Sequence, residues 1–104
     1  MSEQEKEERD RLLALPFRMV IEDVFDLKGR SVCVTGRVAA GRLKEGDAVV
    51  IVGNGEPLHT HAMRFEIFGR LEEIEAGVNI GILLPKNVSK DQLAPGMVIT
   101  TEGL

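Results

Sequence analysis

The 104-residue chain has no tryptophan and no tyrosine, and four phenylalanines are its only aromatics. A platform of stacked rings for single-stranded nucleic acid is therefore not expected. One cysteine, Cys33, excludes an intramolecular disulfide and a multi-cysteine metal site within the chain. No apolar run approaches the ~18 residues of a membrane span. The opening MSEQEKEERDR carries neither the basic region nor the apolar stretch of a secretory signal, so a soluble, cytoplasmic protein is expected. Basic excess is also lacking: 13 Lys and Arg stand against 17 Asp and Glu, a formal charge of −4. That balance disfavours an obligate nucleic-acid binder but leaves room for a local basic patch.

What is present suits one small globular domain. The apolar fraction is 43% and the charged fraction 29%, too apolar for wholesale disorder. The 11 glycines are too many for a helical bundle and ordinary for a turn-rich β-domain. Residues 1–15 differ from the rest. Ser2 and Glu5 have the spacing of a helix capping box, a charged stretch follows, Leu12, Leu13 and Leu15 are its apolar side chains, and Pro16 ends it. A helix of about 12 residues is marginal by itself. It is expected either to remain a solvated extension or to dock through its leucines, on its own barrel or on a second copy.

From residue 16 to residue 104 the signal is β. Phe17, Met19 and Ile21 alternate with Arg18, Val20 and Glu22, and Val24 and Phe25 break the parity, which predicts a bulge. Val32, Val34, Gly36 and Val38 share one face of the next strand. Ala48 to Val52 and Val78 to Leu84 are short apolar strands, residues 58–69 alternate weakly, residues 86–94 hold one helical turn, and Gly96 to Thr100 form a last strand. Gly36 and Gly41 stand where a strand bends or meets a neighbour closely. Asp23, at the parity break, is expected to accept N–H bonds from a turn. Short, evenly spaced strands with glycine turns predict an all-β fold: a small antiparallel barrel, closed or nearly closed, with a short N-terminal helix.

The motifs then become specific. P-F-R-M-V-I-E-D-V-F at 16–25, G-R at 29–30, V-T-G-R-V at 34–38, G-R-L-K-E-G-D at 41–47 and V-V-I-V-G at 49–53 are followed by F-E-I-F at 65–68, A-G-V-N-I-G-I-L-L at 76–84 and L-A-P-G-M-V-I at 93–99. In order and spacing they resemble the second, β-barrel domain of the translational GTPases, elongation factor Tu foremost. No G-x-x-x-x-G-K-[ST] phosphate loop occurs in the chain, so the resemblance is to the barrel as a free-standing, non-catalytic binding module with no cofactor. It implies a link to translation, through the aminoacylated end of transfer RNA or the ribosome. The positions matching the family's aminoacyl-end pocket are Glu22, Asp23, Phe25, Thr35, Glu66, Phe68 and Asn79, while Gly69 stands where the family usually carries a basic residue. The alternative is a protein-interaction or self-associating module, a homodimer for instance, with no role in RNA binding.

Other constellations are weaker. His59 and His61 would share one face of a strand, but no third metal ligand stands near them in sequence. Cys33 among valines has neither a base nor an activating neighbour in the sequence and reads as a strand residue. Lys28, Arg30, Arg37, Arg42 and Lys44 are candidates for a basic patch at one end of the barrel.

Overall fold

A computed structural model describes residues 2–27, 31–66 and 73–104. Helix α1 spans Glu3–Ala14, and strands β1 (Arg18–Asp26), β2 (Val32–Ala40), β3 (Arg42–Lys44), β4 (Ala48–Val52), β5 (Leu58–His61), β6 (Arg64–Glu66), β7 (Glu73–Glu75), β8 (Asn79–Leu83) and β9 (Val98–Thr100) follow. A single 3-10 turn, Lys90–Gln92, precedes the last strand. The expected antiparallel barrel with a short N-terminal helix is the observed architecture. No helix among the described residues is long and apolar enough to cross a membrane.

The apolar alternation sets the inner face. Met19 and Ile21 of β1, Val34 and Val38 of β2, Val49 and Ile51 of β4, Ile80 and Ile82 of β8 and Ile99 of β9 all point inward and are buried. Seven strands form one antiparallel sheet in the order β5-β4-β9-β1-β2-β8-β6, and β3 pairs with β7 as a separate ribbon. Strands β5 and β6 lie at opposite edges of that sheet yet are separated only by Ala62 and Met63. The chain turns a corner there and changes partner. Ala62 N–H donates to the Asp47 carbonyl at 2.9 Å, and Met63 N–H donates to the Leu83 carbonyl at 2.9 Å. The two edges of the sheet thus meet at the corner, which nearly closes the barrel and leaves little unpaired edge. The β3–β7 ribbon puts Leu43 and Ile74, each 1% exposed, into the core.

Two departures from alternation are built into β1. Its register with β2 shifts between Arg18 and Met19 and again between Ile21 and Asp23. Ile21 faces Gly36 and Asp23 faces Thr35, which leaves Glu22 as the extra residue of the predicted bulge. Gly36 is required because a Cβ there would lie 2.3 Å from the Val20 carbonyl oxygen. At Gly41, with φ of 75°, a Cβ would lie 2.5 Å from Phe17 N. The turn role expected of Asp23 falls to Asp47, whose Oδ2 accepts from Lys44 N–H at 2.9 Å. Asp23 is exposed, and no N–H among the described residues donates to it.

Helix α1 begins with half of the expected capping box: Ser2 Oγ accepts from Glu5 N–H at 3.2 Å, and no bond from Ser2 N–H to the Glu5 carboxylate occurs among the described residues. On its own barrel the helix matches the solvated alternative more than the docked one: α1 buries none of its residues, Leu13 is half-buried, and Leu12 and Leu15 are exposed. Polar contacts hold it instead. Gly41 N–H donates to the Leu12 carbonyl at 2.8 Å, and Arg9 pairs with Glu75.

Candidate functional site

The outer face of β1, β2, β8 and β6 carries the rows that matter. One cross-strand row runs Asp23–Thr35–Gly81–Glu66, and its neighbour runs Val20–Arg37–Asn79. Strand register alone therefore brings distant parts of the sequence together. Across these rows lies a cleft of about 490 Å³, lined by Glu22, Thr35, Gly36, Glu66, Asn79, Ile80 and Gly81. The bulge at Glu22 puts a carboxylate at the rim.

Glu22, Thr35, Glu66 and Asn79 were all expected from sequence, and the structure gathers them around this one cleft. Asp23 and Phe25 stand on the same outer face of β1, opposite Thr35 and Cys33, but outside the cleft lining. Phe68 lies outside the described residues. Gly36, Ile80 and Gly81 were missed as lining residues. They reach the cleft as close-packed floor, and no feature of their local sequence separates that role from core packing. Gly81 keeps the floor open: a Cβ there would approach Cys33 Sγ at 2.9 Å and Glu66 Cβ at 3.5 Å.

The cleft is acidic. Glu22 and Glu66 are the ionisable lining residues among the described residues, and Thr35 and Asn79 add a hydroxyl and an amide. None of these four side chains has a hydrogen-bond or ion-pair partner among the described residues. Their donors and acceptors are open to a ligand. Cys33 lies beside the floor. Burial pushes its thiol pKa up, and the Glu66 carboxylate adds to the rise, so the reactive thiolate is suppressed.

The remaining candidates are not gathered. His59 and His61 share the exposed face of β5, and no group of three possible metal ligands occurs among the described residues. Of the candidate basic patch, Lys28 and Arg30 lie outside the described residues. Arg37 is on the outer face of β2, whereas Arg42 and Lys44 are on the β3–β7 ribbon, where Arg42 Nε lies 3.8 Å from Glu75 Oε2.

A nearly closed antiparallel barrel with a polar cleft on its outer face is the architecture of a translation-factor-like β-barrel module. The family model for elongation factor Tu domain 2 matches residues 31–100, and the chain belongs to that family. Strand β1 lies outside the matched stretch but pairs with both β2 and β9 and is integral to the barrel.

Proposed function

We propose that residues 16–104 act as a non-catalytic, cytoplasmic binding module of translation, with residues 1–15 as an appended helix, and that the outer cleft takes the aminoacylated end of a transfer RNA. The observation that carries this reading is the gathering of four polar side chains around one cleft, none of them partnered among the described residues. Glu22 and Glu66 offer negative charge to a protonated α-amino group. Thr35 and Asn79 offer donors and acceptors to ester and ribose oxygens. The Gly36 and Gly81 floor gives a flat terminal group room to approach. A ligand that terminates in a cation suits a chain of formal charge −4 better than one read through many phosphates.

The test is a titration with aminoacylated and deacylated forms of the same transfer RNA at low and moderate salt. The aminoacylated form is expected to bind more tightly by about two- to fivefold, the scale of one exposed charge pair. Glu66→Gln is expected to abolish that difference while leaving the fold unchanged. Equal binding of the two forms, or a preference that survives Glu66→Gln, would overturn the proposal.

A further inference from the structure

A second surface stands apart in its chemistry. On the outer face of β4, β9, β1 and β2, one cross-strand row runs Val52–Val98–Val20–Arg37. The adjacent row runs His59–Val50–Thr100–Arg18. Val20 is 41% exposed, and Val52 and Val98 are half-exposed. These rows hold Arg18, Arg37 and His59 and no carboxylate, in a chain whose acidic residues outnumber its basic ones. Val50 and Thr100 are buried, so the accessible face is the Val52–Val98–Val20 strip with Arg18 and Arg37 beside it, and Glu22 borders it only on the side toward the cleft.

Helix α1 presents the complementary pattern. It carries five carboxylates against three cations, and none of its residues is buried. Glu5, Glu8 and Leu12 fall within one narrow stripe at helical spacing, and Leu15 follows at the C-cap. Leu12 and Leu15 are 39% and 52% exposed. On its own barrel the helix is tied through Arg9 and the Leu12 carbonyl, with Leu13 half-buried, and the side chains of Glu5 and Glu8 have no hydrogen-bond or ion-pair partner among the described residues.

The geometry points to a two-fold homodimer in which the Glu5–Glu8–Leu12 stripe of each copy lies on the valine face of the other. Leu12 and Leu15 cover Val20, Val98 and Val52, and Glu5 and Glu8 meet Arg18 and Arg37. Such a contact is reciprocal and closes on itself, as two-fold interfaces do. Charge complementarity selects a second copy as the occupant, because the acidic, leucine-bearing helix is supplied by the chain itself. The face adjoins the cleft along the Val20–Arg37–Asn79 row, and the inference does not rest on the proposed ligand.

The test is a charge exchange on the full-length protein, read by sedimentation and light scattering up to sub-millimolar concentration. The wild type is expected to be dimeric, with the dimer weakened by salt. Reversing the face (Arg18→Glu with Arg37→Glu) or the helix (Glu5→Lys with Glu8→Lys) is expected to weaken the dimer at least about tenfold, more than one exposed pair alone provides because two contacts per copy are inverted. A mixture of the two variants is expected to restore the dimer as a heterodimer. Because these positions are exposed, circular dichroism should remain that of the wild type. A monomeric wild type, a dimer that neither reversal weakens, or two monomeric variants that do not combine would each overturn the inference.

Discussion

Gly41 and Gly36 are both glycine for reasons of space, but at Gly41 the backbone adds a second constraint. Gly41 has φ of 75° and would place a Cβ 2.5 Å from Phe17 N, whereas a Cβ at Gly36 would clash with the Val20 carbonyl and crowd the Met19 side chain. Gly55, with φ of 85°, meets nothing within 4 Å. Alanine at Gly55 should therefore cost about 1 kcal/mol, and alanine at Gly36 or Gly41 should cost more, on the order of 2–4 kcal/mol, as backbone must move. Denaturant titrations of the three variants give this order directly. Cys33 makes a second prediction at this scale. Its folded-state thiol pKa is raised, by burial first and by Glu66 second. The unfolded chain thus releases the proton at lower pH than the folded one. The contribution to stability is fully present below the ordinary thiol range and is lost as pH rises through it toward the folded value. Stability should fall across that alkaline window, and Cys33→Ala should remove this component. An identical alkaline decline in Cys33→Ala would show that other groups cause it.

Among the elements, α1 and the β5–β6 corner contrast most. The helix is held by an ion pair and one backbone hydrogen bond and buries nothing. Glu75→Gln should therefore speed amide exchange in α1 while changing global stability by less than about 1 kcal/mol, the scale of exposed pairs. The corner is the opposite case. Ala62 is fully buried where the chain passes from one sheet edge to the other. Ala62→Leu has no room to fill and should cost about 1–3 kcal/mol, seen as a lower denaturation midpoint. The sequence was legible unevenly at this scale. The long alternations of β1 and β2 and the apolar run of β4 were readable because several inward residues recur at period two. Strands β3 and β7 have three residues each, too few to show a period. The corner at Ala62 and Met63 was hidden within the weakly alternating stretch 58–69, because a change of hydrogen-bond partner leaves no mark in side-chain pattern. The leucines of residues 12–15 left a solvated and a docked helix both open, and within one chain the structure ties that helix through polar groups.

For the whole molecule, the order of strands in the sheet turns scattered positions into a site. Glu22, Thr35, Glu66 and Asn79 are far apart in sequence and meet because β1, β2, β8 and β6 are neighbours in the sheet. Their residue types were legible through family resemblance, and their proximity follows from register, which no local pattern encodes. Asp23 shows the limit: its residue type suited the same pocket, but the bulge gives the cleft lining to Glu22 and leaves Asp23 beside it. The most direct test of the cleft is amide chemical-shift mapping of the labelled protein during titration with a short aminoacylated acceptor-end RNA. The predicted result is a contiguous set of shifts at Thr35, Gly36, Glu66, Asn79, Ile80 and Gly81, much reduced with the deacylated RNA and in Glu66→Gln. Shifts confined to other surfaces, or no saturable shifts with the aminoacylated RNA, would contradict the assignment of this cleft.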